Sequence, residues 1–251
     1  MKTIEWHVSG AVREIVLNRP KQRNALDPEM LAQLTAIFEE DPGPDERVAL
    51  VRAAGTAFCS GIDLRNRDSS ATGARHIERM LHAIQTWPLP VVAVVQGPAL
   101  AGGAELALHC DVVIASRAAS FGMPLAQIGL APSWFLAKKV VECAGIVGAR
   151  ELLFFGDPVP AERLHAMGAI AHVADPAELE ADVARIVARL CQNAPLSLKA
   201  IKAVLNREMA FRDEIAHADL DVFVGEVRTS ADAHEGMAAR LARRAPTFVG
   251  R

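Results

Sequence analysis

The sequence is poor in the features that mark secreted, disulfide-bonded or zinc-stabilised proteins. It has only four cysteines in 251 residues, and their wide, irregular spacing forms neither a CxxC motif nor a Cys/His cluster. This pattern argues against structural zinc and against a disulfide framework, so no metal site is predicted. A reduced, cytoplasmic setting fits best. The four are Cys59, Cys110, Cys143 and Cys191.

Long, uniformly apolar segments are also missing. The longest uncharged run, residues 88–104, contains three prolines, three glycines and a glutamine. It therefore predicts a buried strand followed by a turn and not a membrane span. The first residues are charged and lack an apolar core, so no secretory signal is predicted.

An excess of charge of either sign is absent as well. The formal net charge is −3 and 51% of the residues are hydrophobic. Nucleic acid is therefore not an expected partner, and the chain can form one substantial domain, with or without a helical appendage. Basic residues cluster only at Arg240, Arg243 and Arg244. They could hold a phosphate of a small molecule, but the solvated face of a helix is the favoured interpretation.

What the sequence does contain is an alternation of strand-like and helix-like segments. Strands are predicted at residues 4–7, 12–17, 48–52, 91–96 and 112–115, and helices at residues 75–87 and 101–109, with a loop at 53–67. Another helix begins at Asp27 as N-cap, with Pro28 at its first position and an apolar stripe of Leu31, Leu34 and Phe38. Strands separated by helical crossovers predict an α/β class with a mainly parallel sheet.

Strand signals fade after residue 135. Helices are predicted at residues 161–168, where Gly168 ends the helix, and at 176–192, 196–208, 211–227 and 231–244. We therefore expect an α/β core over residues 1–192 and a C-terminal helical region over residues 193–251. This region would pack on the core or on a neighbouring subunit.

The most informative segment joins the strand at 91–96 to a helix through a turn of small residues. A helix N-terminus carries unpaired backbone N–H groups and a partial positive charge. Gly102 and Gly103 lack a Cβ, so a ligand can approach their backbone. Glu105 lies in the first turn of this helix, where it either stabilises the helix dipole or acts chemically. The segment therefore predicts a site for a negative oxygen beside one carboxylate.

A second loop, Ser60-Gly61-Ile62, follows the strand at residues 48–52. Loops that leave the carboxyl ends of neighbouring parallel strands come together. Each turn would then offer a backbone N–H, and two converging N–H donors are what an oxyanion hole requires.

Five segments in the same order resemble the crotonase superfamily, the enoyl-CoA hydratase/isomerase superfamily. They are NRPKQRNAL (18–26), AFCSGIDL (57–64), PVVAVVQGPALAGGAELALHCD (90–111), FGMPLAQIGLAP (121–132) and ARELLFFGDPVPAERLHAMG (149–168). The resemblance implies a spiral of ββα units with a C-terminal helical module, assembled as homotrimers or homohexamers. It also implies binding of an acyl-CoA thioester, with no cofactor beyond the coenzyme A that belongs to the substrate.

By the same resemblance, the N–H groups of Ile62 and Gly102 polarise the thioester carbonyl and stabilise an enolate, and Glu105 is the acid/base. The residues that it implies around the substrate are Arg23, Ala25, Leu26, Ser60, Gly61, Asp63, Leu64, Ala101, Gly103, Pro124, Leu125, Pro132 and Ser133.

Leu125 departs from the family pattern, because typical hydratases carry a second glutamate at this position. Addition of water to an enoyl double bond takes one proton from water and delivers another to carbon, and leucine can do neither. Gln127 could orient water but is no base, Ser133 is a poor base, and Cys59 is favoured as a small buried residue. Three histidines on predicted helices are favoured as surface or core residues: His76, His82 and His109.

Three functions therefore remain open. The first is an enzyme of the hydratase/isomerase type with Glu105 as its one evident acid/base. The second is an acyl-CoA-binding protein with little or no catalysis. The third is a thioester hydrolase or decarboxylase that uses the same oxyanion geometry. Asp63 is expected to brace its own loop, and Asp111 to anchor the start of a strand.

Overall fold

The computed structural model describes residues 2–65 and 71–251, without the side chains of residues 71–74. The end of the loop predicted at 53–67 lies outside the described residues. Within them, six strands form the main sheet in the order β1-β2-β3-β4-β6-β9. These strands are β1 (Ile4–Ser9), β2 (Val12–Leu17), β3 (Val48–Ala53), β4 (Val91–Val95), β6 (Val112–Ser116) and β9 (His172–Ala174).

The sheet is mainly parallel, which confirms the predicted class. Only β1 and β2 pair antiparallel, as expected for a hairpin, whereas β2, β3, β4, β6 and β9 run parallel. Val91 pairs with Ala49, and Val92 pairs with Val112. Both faces of the central strands are covered, because successive side chains of β3 and β4 enter two different apolar clusters.

Three very short strands form a second sheet that was not predicted: β5 (Ala99–Leu100), β7 (Ser120–Gly122) and β8 (Val159–Pro160). Strand signals fade after residue 135, yet β8 and β9 lie beyond it. Strands of two or three residues carry no readable alternation, and they exist here because a neighbouring strand offers backbone partners.

The helices are α1 (Pro28–Glu39), α2 (Ala71–Thr86), α3 (Gly102–Leu108), α4 (Trp134–Arg150), α5 (Ala161–Ala166), α6 (Leu179–Gln192), α7 (Pro195–Met209), α8 (Ala218–Thr229) and α9 (Ala231–Ala242). The Asp27 cap is confirmed, because its carboxylate accepts a 2.9 Å hydrogen bond from the N–H of Met30. The predicted helix at 211–227 starts late, since residues 210–212 form a separate 3₁₀ turn. Helix α4 is interrupted at Gly145.

The C-terminal helices are joined to the core by an ion pair whose lysine is buried and whose aspartate is partly exposed. Lys202 of α7 donates to Asp111 at 2.6 Å and to the carbonyl of Leu89 at 3.1 Å. Asp111 also accepts from the N–H of Val91, so its expected role at the strand start is confirmed. No helix in the described ranges has the length and apolar character needed to cross a membrane.

Candidate active site

The two turns singled out in the sequence meet at the carboxyl ends of β3 and β4. Cys59, in the loop after β3, bridges Ala99 of β5. The N–H of Leu100 donates to the carbonyl of Cys59 at 2.8 Å, and the N–H of Ala101 donates to Gly122 at 2.7 Å. Short backbone hydrogen bonds therefore fix the position from which α3 begins.

Two backbone N–H groups point to the same region as a result. A Cβ built on Gly61 would lie 3.2 Å from the nitrogen of Gly102, and one built on Gly102 would lie 3.6 Å from the nitrogen of Ile62. Within the described residues, neither nitrogen donates to a protein acceptor. Gly102 is the first residue of α3, where an N–H has no partner inside the helix.

Gly103 is what allows α3 to begin so close to the other loop. A Cβ at this position would lie 2.2 Å from the carbonyl oxygen of Cys59 and 2.7 Å from its carbonyl carbon. These are backbone atoms, which cannot rotate away as a side chain could. A glycine is therefore required here by space.

Two side-chain amides, one buried and one half-buried, hold the loop after β3 in place. Asn24 donates to the carbonyls of Ala54 and Ala57 at 2.8 and 2.9 Å. Gln96, at the end of β4, donates to three carbonyls of the same loop at 3.0 to 3.2 Å. Asp63 accepts from Arg65 and pairs with Arg19 at 3.1 Å, which confirms its bracing role.

A cavity of about 210 Å³ opens beside the two free N–H groups. Of the residues predicted for the site, the cavity is lined by Leu26, Ser60, Ile62, Leu64, Ala101, Gly102, Glu105, Pro124, Leu125, Pro132 and Ser133. The cavity is not lined by the other five predicted residues, which are Arg23, Ala25, Gly61, Asp63 and Gly103. Arg23 is exposed, and its carbonyl accepts a hydrogen bond from the N–H of Ser60 in the loop after β3.

Glu105 lines this cavity together with a second carboxylate that sequence reasoning missed, Glu78 of α2. Burial and, to a smaller extent, the negative charge of Glu78 raise the pKa of Glu105 to about 7. Glu105 is therefore able to take up and release a proton near neutral pH. Glu78 lies three residues before buried Leu81, at the edge of the apolar face of α2. A glutamate at such a position is ordinarily solvated, so its sequence context does not indicate a role in a cavity.

Neither Ser133 nor Gln127 provides a base in place of the missing second glutamate. Leu125 and Ser133 line the cavity, but the Ser133 hydroxyl accepts from the N–H of Leu136 as the cap of α4. Gln127 is turned away from the cavity, since its amide donates to the Phe155 carbonyl and to Asp157. Its proposed role in orienting water is therefore wrong.

Cys59 and His109 are buried structural residues. Burial raises the pKa of the Cys59 thiol to about 12, so it stays protonated. Burial and the charge of Lys139 lower the pKa of His109 to about 3, so its ring stays neutral. The ring stacks on Phe135 at 5.0 Å, and its Nδ1 lies 2.8 Å from the carbonyl of Glu105.

The C-terminal helices also reach the cavity. Arg228 of α8 and Arg240 of α9 line it, and so does the exposed His76 of α2. The arginine cluster seen in the sequence does not act as one unit, because Arg244 is paired with Glu235. In the described part of the chain, no three metal-ligating side chains gather into a metal site.

Solved structures that superpose on this chain are enzymes of crotonase fold and include an enoyl-CoA hydratase and methylmalonyl-CoA decarboxylase. The sequence model of the enoyl-CoA hydratase/isomerase family matches residues 7–251. The chain belongs to this family.

Individual relatives cover almost its whole length. (E)-Benzylidenesuccinyl-CoA hydratase of Thauera aromatica is 35% identical over 98% of this chain and 99% of its own. 1,2-Epoxyphenylacetyl-CoA isomerase of Escherichia coli K12 is 34% identical over 100% of both chains. The crystal structure of methylmalonyl-CoA decarboxylase with 2-nitronate-propionyl-CoA superposes with a TM-score of 0.89, at 26% identity over 100% of this chain and 99% of that one. The crotonase fold implied by the sequence is confirmed.

Proposed function

We propose that the protein is an enzyme that converts an acyl-CoA thioester through an enolate, in a reaction of the hydratase/isomerase type. The observation that carries this proposal is the pair of free N–H groups at Ile62 and Gly102, beside an acid/base at Glu105. Donors of this kind stabilise the negative charge that develops on a thioester oxygen, and each is worth about 2.7–4 kcal/mol in the transition state.

Isomerisation is the reaction that needs only one carboxylate. Ionised Glu105 takes a proton from the acyl chain, and the C–H electron pair moves into the dienolate held by the two N–H groups. Protonated Glu105 then returns the proton at another carbon, which shifts the double bond. The pKa of about 7 suits both halves of this cycle.

Hydration needs a second group, and Glu78 is the carboxylate available for it. In this reaction one carboxylate takes a proton from water while the hydroxyl adds to the β-carbon. The double-bond electrons form the enolate, and the other carboxylic acid protonates the α-carbon. Leu125, at the position of the usual second glutamate, takes no part.

The test compares isomerisation of trans-3-hexenoyl-CoA with hydration of trans-2-hexenoyl-CoA. Glu105→Gln is expected to lower isomerisation by about 10²- to 10⁴-fold, because it removes the proton carrier. Glu78→Gln should abolish hydration but leave most of the isomerisation. Glu208→Gln, at an exposed position of α7, is the control. Wild-type turnover in Glu105→Gln would refute the role of Glu105.

Decarboxylation is a second candidate, favoured by the structural likeness to methylmalonyl-CoA decarboxylase. Loss of CO₂ leaves its bonding electrons in the same enolate, which Glu105 then protonates. Release of CO₂ from a malonyl-type thioester, measured with the mass of the product, would support this reaction over isomerisation. Binding of acyl-CoA without any turnover would instead support the carrier function.

We also propose that the chain assembles as a homotrimer or homohexamer through its C-terminal helices. Their large apolar side chains are unusually exposed, with Leu196 at 79%, Val204 at 64% and Phe223 at 62%. A second copy of the chain is the partner that the family resemblance implies for such a surface. Sedimentation equilibrium of a stable monomer would contradict this proposal.

A further inference from the structure

The cavity has a cationic part that the proposed reaction does not use. Arg228 and Arg240 come from two different helices, α8 and α9, which pack against each other. Arg228 is half-buried and Arg240 is exposed. Neither guanidinium forms an ion pair or hydrogen bond with any residue in the ranges 2–65 and 71–251.

Close packing fixes the position of Arg240. A Cβ on Gly236 would lie 2.4 Å from the carbonyl carbon of Ile128, so α9 is in backbone contact with a turn that itself lines the cavity. Arg240 lies four residues later, on the same face of α9. Ser230 begins the helix as its N-cap, accepting from Ala233 at 3.0 Å. The fold therefore holds the backbone at Arg240 beside the cavity, which the side chain lines.

The two arginines are not paired with the carboxylates of the cavity. Among the described residues, neither Glu78 nor Glu105 forms an ion pair or hydrogen bond with Arg228 or Arg240. Two unpaired positive charges on the wall of one cavity of about 210 Å³ make that part of the cavity attractive to an anion.

We propose that Arg228 and Arg240 bind an anionic group on the acyl part of the substrate, so that the preferred substrate is an acyl-CoA whose acyl chain carries a second carboxylate. A guanidinium presents paired donors that match a carboxylate. The cavity that the arginines line also contains Glu105 and the free N–H groups, which places the anion on the reacting part of the molecule. This inference deepens the proposed function and depends on it for the position of the thioester.

Binding is measured first, with two unreactive thioesters of equal chain length. Adipoyl-CoA ends in a carboxylate and hexanoyl-CoA ends in a methyl group. Calorimetric titration should show adipoyl-CoA bound about 10- to 100-fold more tightly, as expected for charge-assisted hydrogen bonds in a partly enclosed site. Arg228→Met and Arg240→Met keep the aliphatic stem and should each remove most of this preference.

Arg243→Met is the matched control, because Arg243 is exposed and does not line the cavity. Thermal unfolding checks that each variant is folded, and Arg228→Lys, which keeps the charge, should retain part of the preference. Equal affinity of the wild-type protein for the two thioesters would overturn the proposal.

A third arm separates the acyl carboxylate from the phosphates of coenzyme A. If the arginines bind the 3′-phosphate, the methionine variants weaken both thioesters equally, and the loss disappears with dephospho-CoA thioesters. That result overturns the proposal. The binding preference can be measured without turnover. An inactive protein that still prefers adipoyl-CoA would therefore refute the proposed reaction and leave the proposed binding of an acyl carboxylate intact.

Discussion

The contact at Gly103 offers the sharpest structural prediction. We expect Gly103→Ala to impair turnover far more than it impairs folding. The new methyl group would lie 2.2 Å from the carbonyl oxygen of Cys59, well inside van der Waals contact. Because backbone lies on both sides, the start of α3 must move away from the loop after β3.

The expected losses of stability and of activity both follow from the displacement of the start of α3. Overpacking of this kind costs about 1–3 kcal/mol of stability. The same displacement carries the N–H of Gly102 away from that of Ile62. Loss of one oxyanion donor lowers kcat by about 10²- to 10³-fold. The activity loss should therefore exceed what the fraction of unfolded protein can explain.

The assay is kcat for isomerisation of trans-3-hexenoyl-CoA, combined with chemical denaturation of each variant. Gly225→Ala is the matched control, since a Cβ there meets no atom within 4 Å in helix α8. Alanine should stabilise that helix by up to about 1 kcal/mol and leave kcat unchanged. Wild-type kcat in a folded Gly103→Ala protein would refute the assignment of Gly102 as a donor.

Two further predictions concern charge. Proton abstraction needs ionised Glu105, so kcat/KM for isomerisation should rise with pH through about 7. Glu78→Gln removes a like charge and should move this midpoint to lower pH; an unchanged midpoint would show that Glu78 does not act on Glu105. Lys202→Met leaves the partly exposed Asp111 without its cation and should lower the free energy of unfolding by about 1–3 kcal/mol, measured by denaturant titration. Lys199→Met on the same helix is the control, and an equal loss in both variants would contradict this account.

Much of the fold could be predicted because its signals are local. Asp27 and Pro28 mark a helix start by capping chemistry alone, and β4 is a run of β-branched residues. The small-residue turn before Glu105 likewise identified half of the site.

The parts that could not be predicted depend on contacts far apart in the sequence. Strands β5 and β7 have two and three residues and exist through their pairing with each other. Glu78 has the sequence context of an ordinary solvated residue, and only the packing of α2 against α3 brings it to the cavity. Arg228 and Arg240 reach the site because α8 and α9 fold back over it. The polar positions of amphipathic helices therefore gave no signal for Glu78 and Arg228, and Arg240 was recognised only as part of a basic cluster.

Enolate formation at the α-carbon can be measured without knowing the natural substrate. Butanoyl-CoA is incubated in D₂O, and deuterium at its α-carbon is followed by mass spectrometry and NMR. We expect the wild-type protein to catalyse this exchange and Glu105→Gln to abolish it. Exchange that persists in Glu105→Gln, or no exchange by a wild-type protein that binds the thioester, would contradict enolate formation with Glu105 as the base.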